Sequence, residues 1–490
     1  MMKELLLSRV RQFDFNSRFI QDLLGGSDYS YTEFFSRVLP IAQQFDKQNA
    51  PTHIVCIMDN SVELMAYYFA IILSGRVAVA IDPVKGSDEI ESILASINKK
   101  YVVTDDLSAN KIQHIDKVVT SHSFKDFDTL EGDVKAISLE KLQGRCFEDD
   151  CLLTFTSGTS GNTKGVRNSL YNLCSTAEAF NNCFNVGKNN VFAHLMPMTY
   201  MAGILNTIIQ PFIAGSQIVV MGRFSPMVAF SFWQNVASSG VNTLWMSPSM
   251  LNILLKVGNE KVGIPYCKEN EIFFFIGTAP LQQKTREQFE QKYGVTIYAS
   301  YGLSETLFLS TETKDTVLSG RDNVGRILDG VKYRFSDKGE FLVDVPWMFL
   351  GYTNENTSEY FDGTYYKTGD LAEIKDNILQ ITGRCKDLII KGGMNISAAL
   401  IEKTVSQLSS IEECAAFGAV NAFQEESVIL AYVSDEPAQE IEKTITALVN
   451  EKLGRNYLVD TYYKVNIIPK NINGKIDKNT LKEQFKLSHK

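Results

Sequence analysis

The glycine-rich stretch from Thr156 to Val166 is the segment best equipped for chemistry, with the sequence Thr-Ser-Gly-Thr-Ser-Gly-Asn-Thr-Lys-Gly-Val. It directly follows the apolar run 151–155. Its glycines can adopt backbone angles that are closed to other residues, which lets peptide N–H groups converge on an anion. The hydroxyl groups and Lys164 supply further donors. The composition therefore indicates a phosphate-binding loop.

A Walker A loop and a flexible linker are the alternatives for this stretch. The Walker pattern needs Gly-x4-Gly-Lys-Ser/Thr, and here Lys164 follows Thr163 and precedes Gly165, so the spacing fails. A linker or surface turn stays open as an interpretation, because Gly/Ser/Thr-rich composition is typical of both. Signals elsewhere in the chain have to separate a linker from a binding loop.

Three further segments carry side chains suited to nucleotide chemistry. Residues 297–306 contain Tyr301 and Glu305, an aromatic face for a base and a carboxylate for a hard cation. Asp370 ends the run Tyr-Lys-Thr-Gly-Asp, and Lys475 ends an Asn-Gly-Lys triplet near the C-terminus. Each also has a plainer explanation. Residues 297–306 could be a strand and turn, Asp370 a turn residue, and Lys475 a solvated lysine.

In order and spacing, these segments resemble the adenylate-forming superfamily, which contains acyl-CoA synthetases, peptide-synthetase adenylation domains and luciferases. The resemblance runs from about residue 30 to 485. Two positions of the loop depart from the family pattern. Ser160 stands where Thr is common, and Thr163 stands where Pro is common and would fix φ.

The resemblance implies that Mg·ATP and a carboxylic acid give acyl-AMP and pyrophosphate, after which the thiol of CoA, or of phosphopantetheine, takes the acyl group. Lys475 would bridge the carboxylate and the α-phosphate, Glu305 would bind Mg²⁺, and Lys164 would contact the outer phosphates. The implied ATP- and AMP-binding residues are Thr156, Ser157, Gly158, Thr159, Ser160, Gly161, Thr163, Lys164, Gly277, Thr278, Ala279, Tyr301, Gly302, Ser304, Asp370, Arg384 and Lys475.

The acyl pocket implied by the resemblance draws on residues that could equally be core. They are Tyr200, Met201, Gly203, Trp245, Leu303 and Leu307. Tyr200 replaces the His of the family's Pro-x-x-His-x-x-Gly motif. Amino-acid-activating relatives hold the substrate amine with an Asp just after this motif, whereas residues 199–207 contain no acid. Burying an ammonium without one is costly, so the sequence favours a fatty or aryl acid without an α-amine.

The segment from Gly383 to Ile396 resembles the hinge motif of acyl-CoA synthetases. The resemblance implies that Lys386 is the hinge residue and that Gly392 and Gly393 line a thiol tunnel. We therefore predict two domains. Residues 1–385 form the AMP-binding domain, and residues 386–490 form a mobile C-terminal domain that carries the catalytic lysine.

The elements that must position these groups follow from periodicity. A helical pattern over 31–45 is followed by strand signals at 53–58, 77–81 and 101–104 with helices between them. This alternation predicts an α/β fold, in which parallel-rich sheets are covered by helices, with a β-rich subdomain after the 297–306 motif and a small C-terminal α+β domain joined by a hinge. The 156–166 loop then lies at the carboxyl end of a strand, where open α/β sheets bind ligands.

Length, charge and cysteine use narrow the class of protein. A chain of 490 residues predicts at least two domains. A net charge of −9 without a basic run argues against a nucleic-acid partner. The eight cysteines are scattered without Cys-x-x-Cys pairs, which argues against zinc or a disulfide framework. No apolar stretch is long enough for a transmembrane segment, so we expect a cytoplasmic protein. We also expect it to be a monomer or a homodimer.

The leading functional hypothesis is an acyl- or aryl-acid:CoA ligase. Two related enzymes are the alternatives. One loads the phosphopantetheine thiol of an acyl carrier protein, and the other is a stand-alone amino-acid adenylation enzyme. A nucleotide-binding scaffold without activity is a fourth hypothesis, and the presence of every charged residue of the motifs disfavours it.

Overall fold

The computed structural model describes residues 2–97, 101–109, 112, 117–121, 123–157, 163–317, 323–353, 355–421, 425–470 and 476–488. The strands are β1 (Arg18–Asp22), β2 (Ser27–Ser30), β3 (His53–Ile57), β4 (Val77–Ile81), β5 (Tyr101–Thr104), β6 (Lys117–Thr120), β7 (Asp150–Ser157), β8 (Thr163–Ser169), β9 (Val191–His194), β10 (Gln217–Val220), β11 (Thr243–Met246), β12 (Phe273–Ile276), β13 (Ile297–Leu303), β14 (Leu307–Thr311), β15 (Arg326–Ile327), β16 (Lys332–Phe335), β17 (Glu340–Asp344), β18 (Gly351–Tyr352), β19 (Phe361–Asp362), β20 (Tyr365–Lys375), β21 (Ile378–Arg384), β22 (Leu388–Lys391), β23 (Met394–Ser397), β24 (Glu413–Asn421), β25 (Glu425–Val433) and β26 (Thr461–Lys464).

The α-helices are α1 (Met2–Gln12), α2 (Tyr31–Lys47), α3 (Val62–Leu73), α4 (Ser87–Ala95), α5 (Asp106–Ala109), α6 (Val134–Gly144), α7 (Leu170–Phe184), α8 (Met201–Ile204), α9 (Gln210–Ala214), α10 (Pro226–Ser239), α11 (Pro248–Val257), α12 (Glu260–Glu269), α13 (Gln283–Tyr293), α14 (Lys314–Val317), α15 (Ala398–Val405), α16 (Ala438–Leu453) and α17 (Lys478–Ser488). A π-helical stretch, Leu205–Ile209, joins α8 to α9. Short 3₁₀ turns occur at Phe124–Asp126, Thr357–Tyr360, Cys385–Asp387 and Arg455–Tyr457.

Two parallel-rich sheets form the large N-terminal part of the molecule. The nine-stranded sheet has the order β15-β14-β13-β12-β11-β9-β10-β1-β2, and the seven-stranded sheet has the order β18-β8-β7-β4-β3-β5-β6. Strands β9 to β13 run parallel in the first sheet, as do β3 to β7 in the second. Antiparallel pairing occurs at both edges of the nine-stranded sheet and at the β18 edge of the seven-stranded sheet, whereas β6 at its other edge is parallel to β5. The predicted α/β fold class is confirmed.

The apolar pattern explains why the inner strands pair in parallel. All five residues of β4, Val-Ala-Val-Ala-Ile, are buried, as expected for a strand covered by helices on both faces. The covering helices begin at hydroxyl caps. Ser30 accepts a hydrogen bond from the Glu33 N–H in a capping box at α2, and Ser61 accepts one from the Leu64 N–H at α3.

Polar contacts tie the two parallel-rich sheets together near the carboxyl ends of their strands. The guanidinium of Arg223, which follows β10, lies 2.9 Å from Asp82, which follows β4, and 3.1 Å from Asp59, which follows β3. The Asn60 side chain donates to the Met196 carbonyl (2.7 Å) and accepts from the Met198 N–H (2.8 Å). These contacts fix the carboxyl ends of the strands in one sheet relative to those in the other.

Two smaller five-stranded sheets follow along the chain. The first joins β16, β17, β20, β19 and β21 in antiparallel fashion, and the second joins β23, β22, β25, β24 and β26. The second sheet, α15 and α16 enclose a cluster of buried side chains that includes Ile401, Tyr432 and Ile445. This cluster is separate from the main core of the N-terminal part. The domain boundary at 385/386 stays a prediction.

The helix and strand predictions differ from the structure mainly at their ends. The helical pattern over 31–45 is the helix Tyr31–Lys47. The strand expected at 53–58 is His53–Ile57. Residues 163–166, treated as loop in the sequence, belong to β8, which pairs antiparallel with β7. Within the described ranges, no helix has the length and apolar character needed to span a bilayer.

The buried histidine at the end of β9 predicts a pH-dependent stability. His194 is 0% exposed, and burial lowers the pKa of its imidazole from 6.5 to about 4. The unfolded chain therefore binds a proton below pH 6.5 that the folded chain accepts only near pH 4. Stability should fall across this window, by about 3 kcal/mol for this residue alone.

Thermal unfolding midpoints at pH 7.5 and pH 4.5 test this expectation. The wild-type midpoint should drop between the two values, and His194→Leu, which cannot titrate, should lose less. His53→Leu is the comparison, because partial burial also lowers the pKa of His53 but without the complete burial of His194, so this variant should reduce the acid-induced drop less than His194→Leu. An equal acid-induced drop in wild type and His194→Leu would contradict the assignment.

Candidate nucleotide site

A hairpin carries the candidate phosphate loop. Thr156 in β7 lies opposite Lys164 in β8, and Ser157 lies opposite Thr163 at the end of the hairpin where residues 158–162 connect the two strands. Gly158, Thr159, Ser160 and Gly161, which were predicted to bind phosphate, lie outside the described residues, as does Lys475. Ser157 is the last residue of β7, and Thr163 is the first residue of β8.

The ammonium of Lys164 lies in a corner made of two tyrosines and a carboxylate. Lys164 Nζ is 3.0 Å from Glu355 Oε2, donates a hydrogen bond to the Tyr360 hydroxyl, and lies 4.2 Å and 5.1 Å from the ring centroids of Tyr360 and Tyr352. Burial acts to lower the pKa of Lys164, but the contacts with Tyr360 and Glu355 outweigh it and raise this pKa. The lysine is therefore charged and already partnered.

Glu305 lies on the other side of Tyr352. The Tyr352 hydroxyl is 2.7 Å from Glu305 Oε1 and 2.9 Å from the Tyr366 hydroxyl. Burial raises the pKa of the Glu305 carboxyl, and the hydrogen bond from Tyr352 opposes the rise. One tyrosine thus contacts both the lysine, through its ring, and the carboxylate, through its hydroxyl.

Asp370 holds together the third group of charged residues. It lies directly opposite Arg384 in the β20–β21 ladder, and Arg384 Nε is 2.7 Å from its Oδ1. The Tyr301 hydroxyl donates to its other oxygen, Oδ2, at 2.7 Å. Asp370 is 2% exposed, whereas the Arg384 side chain is 44% exposed, so the carboxylate of this pair is shielded from solvent and the guanidinium is not. The positive charge of Arg384 also opposes the rise that burial causes in the pKa of the Glu305 carboxyl.

The turn between β13 and β14 aims Glu305 at the site and has no room for a side chain at Gly302. A Cβ at Gly302 would lie 2.0 Å from the Leu307 carbonyl oxygen. Leu307 itself has φ = 54°, a conformation that favours glycine. The turn is docked from outside by the Asn168 side chain, which donates to the Ser304 carbonyl (3.3 Å), and by the Phe349 N–H, which donates to the Glu305 carbonyl (2.9 Å).

The segment 277–279 follows β12 at the same edge of the nine-stranded sheet. Gly277 is adjacent to Ser300 and Trp245, since a Cβ there would be 3.5 Å from Ser300 Oγ and 3.7 Å from Trp245 Cζ3. Thr278 has φ = 72°, which is rare for a β-branched residue and stores strain at this edge. Ala279 is partly buried beside them.

The residues predicted for the acyl pocket are contributed by several elements around this edge. Tyr200 and Met201 begin α8, and Gly203 approaches the preceding segment so closely that a Cβ would lie 1.9 Å from the Pro197 carbonyl oxygen. Trp245 and Leu307 are buried, and Leu303 is partly buried. The structure places all of them at or beside the carboxyl ends of β9, β11 and β13. Their role as a pocket stays a prediction.

The predicted hinge and tunnel residues are exposed. Lys386 lies in a 3₁₀ turn between β21 and β22, and Gly392 and Gly393 form the turn between β22 and β23 with φ values of 57° and 75°. Ser397 at the end of β23 donates to the Thr382 carbonyl (2.9 Å), so the two small sheets are in contact next to the predicted hinge.

Sequence reasoning missed the residues that link the charged groups. Tyr352, Glu355, Tyr360 and Tyr366 were not predicted as site residues. Their position depends on the pairing of β18 with β8, which sets Tyr352 opposite Val166 across 186 residues of sequence. Local patterns carry no such register. The available signal was the tyrosine-rich composition of 352–366, which contains four tyrosines.

Comparisons with known proteins identify what the chain is similar to in sequence and in fold. A family model described as AMP-binding enzyme matches residues 9–353. The long-chain-fatty-acid–CoA ligase FadD13 of Mycobacterium tuberculosis is 27% identical over 452 residues, which cover 88% of each chain. The 2-succinylbenzoate–CoA ligase of Oceanobacillus iheyensis is 24% identical over 471 residues, which cover 93% of this chain and 94% of that protein. ATP-bound MatB from Rhodopseudomonas palustris has the same fold, with a TM-score of 0.86 at 23% identity over the full length of both chains.

The steric constraint at Gly302 predicts the effect of a single methyl group. Gly302→Ala should lower the stability by about 1–3 kcal/mol, because the added Cβ overlaps a backbone carbonyl that cannot move without opening the turn. Gly144→Ala is the matched control, since a Cβ at this helix end meets nothing within 4 Å. Thermal unfolding of both variants is the measurement. Equal midpoints would show that the turn is not constrained as described.

Proposed function

Since the chain belongs to the AMP-binding enzyme family, we propose that it uses ATP to activate a carboxylic acid as acyl-AMP and then transfers the acyl group to the thiol of CoA. Three of the similar proteins are named as CoA ligases, of a long-chain fatty acid, of 2-succinylbenzoate and of malonate. The observation that carries the proposal is the convergence of Lys164, Glu305 and the Asp370–Arg384 pair around Tyr352 and Tyr301.

The side chains suit the first half-reaction, in which the acid attacks the α-phosphate of ATP and pyrophosphate leaves. Lys164 carries a full positive charge near the segment that connects β7 and β8, where it would attract the β- and γ-phosphates. Asp370 would accept hydrogen bonds from the ribose hydroxyls, and Tyr301 would face the adenine. Catalysis of this kind depends on positioning and charge neutralisation rather than on a covalent nucleophile.

The chemistry of the site also fits a magnesium ion. Mg²⁺ usually binds to one or two protein carboxylates together with the phosphates of the substrate. Glu305 is a single, half-buried carboxylate held in place by Tyr352, and burial without a cation raises its pKa. When bound, Mg²⁺ neutralises phosphate charge. Glu305 would hold this ion in a fixed position beside the ammonium of Lys164.

The acid is proposed to be a fatty or aryl acid without an α-amine. The segment 199–207 offers an ammonium group no carboxylate, and an uncompensated charge in a buried pocket is costly. ATP–pyrophosphate exchange against a panel of acids tests the proposal. Fatty or aryl acids without an α-amine should support exchange, and amino acids should not. If no acid in the panel supports exchange, the proposal that this chain activates a carboxylic acid is wrong.

Lys475 is proposed to neutralise charge between the attacking carboxylate and the α-phosphate. Lys475→Ala should therefore reduce acid-dependent ATP–pyrophosphate exchange by a factor of about 100 or more, while thioester formation from supplied acyl-AMP and CoA stays near the wild-type rate. Lys486→Ala, at an exposed lysine of α17, is the matched control and should leave both rates unchanged. Wild-type exchange in Lys475→Ala would refute the role.

Lys386 is proposed as the hinge about which residues 386–490 turn between the two half-reactions. Lys386→Pro fixes φ at this residue and should spare acyl-AMP formation while it blocks thioester formation. Lys386→Ala removes the same ammonium but keeps φ free, so it should retain both steps. Pyrophosphate release and acyl-CoA yield, measured separately, distinguish the outcomes. Equal loss of both steps in Lys386→Pro would argue against a hinge here.

A further inference from the structure

Tyr366 ends a chain of hydrogen bonds that leads to Glu305. Its hydroxyl lies 2.9 Å from the Tyr352 hydroxyl, which in turn lies 2.7 Å from Glu305 Oε1. The two tyrosines are almost completely buried, at 5% and 6% exposure, so solvent has little access to their hydroxyl groups. Three separate elements meet in this chain, because Glu305 follows β13, Tyr352 belongs to β18 and Tyr366 belongs to β20.

The direction of donation along this chain follows from the number of protons. A phenol has one proton to donate, and an ionised carboxylate only accepts. When Glu305 is ionised, as a metal ligand must be, the proton of Tyr352 is donated to it. The bond between the two hydroxyls then uses the proton of Tyr366, so Tyr366 donates to Tyr352. A hydroxyl that accepts one hydrogen bond donates more strongly in another, so Tyr366 strengthens the contact of Tyr352 with the carboxylate.

Aromatic packing holds the Tyr366 ring in place. The rings of Phe349 and Phe361 each lie at a centroid distance of 5.5 Å from it, with interplanar angles of 78° and 71°. Phe349 also contacts the Tyr352 ring at a centroid distance of 4.9 Å, and its backbone N–H donates to the Glu305 carbonyl (2.9 Å). Edge-to-face contacts of this kind favour one orientation of each ring. The Tyr366 hydroxyl is therefore a fixed donor.

Strand β20 carries Tyr366 and Asp370 on the same face. Alternate residues from Tyr366 to Asp370 are buried, as expected for side chains that point to one side of a strand. Asp370 is the proposed ribose ligand, and Glu305 is the proposed metal ligand. One strand therefore positions both carboxylates, Asp370 directly and Glu305 through two tyrosine hydroxyls.

We propose that Tyr366 is a positioning residue for the metal site, which donates to Tyr352 and thereby holds the Glu305 carboxylate in the orientation that binds Mg²⁺ beside the phosphates of ATP. This inference rests on the function proposed above. In this role Tyr366 contacts neither the ion nor the nucleotide. It acts through Tyr352, and its removal leaves both Glu305 and the Tyr352 donor in the site.

The test measures how much Mg²⁺ tightens the binding of ATP. Equilibrium dialysis without any acid gives the Kd for ATP in Mg²⁺ and in EDTA, and the ratio of the two values is the effect of the ion. Tyr366→Phe should reduce this ratio by a factor of about three to ten, the contribution of one hydrogen bond, and should leave the Kd in EDTA unchanged. A dissociation constant does not depend on the fraction of folded enzyme, so moderate destabilisation leaves the measurement valid.

Two further variants and a control show whether Tyr366 acts through Tyr352. Tyr352→Phe removes the donor to Glu305 itself and should reduce the Mg²⁺ effect at least as much as Tyr366→Phe. The double variant should lose no more than Tyr352→Phe alone, because the two residues act in one chain. Tyr365→Phe is the matched control and should behave as wild type. Tyr365 is the preceding residue of β20 and points to the opposite face, where its ring lies 4.6 Å from the Arg334 guanidinium.

Three results would overturn the positioning role and leave the ligase function intact. They are an unchanged Mg²⁺ effect in Tyr366→Phe, an equal weakening of ATP binding with and without Mg²⁺ in that variant, and a further loss in the double variant beyond that of Tyr352→Phe. A wild-type enzyme that supports ATP–pyrophosphate exchange with no acid contradicts the proposed function itself.

Discussion

The candidate site depends on one residue, Tyr352, which contacts Lys164 on one side and Glu305 on the other. A cation lies over the ring, and a carboxylate accepts from the hydroxyl 2.7 Å away. The phenol stabilises both charges, because the face of an aromatic ring attracts a cation and the hydroxyl donates to an anion.

The architecture serves to bring these two residues to the same place. Lys164 comes from the seven-stranded sheet and Glu305 from the nine-stranded sheet, and Arg223 and Asn60 clamp the two sheets together. Strand β18 then pairs with β8 and delivers Tyr352 between them. None of these elements is local to another in sequence. The charged groups are therefore fixed by long-range pairing rather than by any single loop.

The fold class and the positions of the inner strands could be predicted because burial on both faces leaves a continuous apolar run, as in β4. The candidate site residues Tyr301, Asp370 and Arg384 could be proposed because they lie in motifs with a family resemblance, and the structure brings them within hydrogen-bond distance. Tyr352 and Glu355 could not. Their role follows from strand register and from the course of the segment after β18, which no short pattern encodes.

The ion pair between Lys164 and Glu355 changes what happens when a polyphosphate arrives. The lysine is not an empty cationic site, since a carboxylate lies 3.0 Å from it. A phosphate that takes its place displaces one anion with another, and the net gain is the difference between two attractions rather than the whole of one. Because both the starting and the final states are neutralised at this lysine, its contribution to nucleotide affinity varies less with ionic strength than that of an unpaired surface lysine.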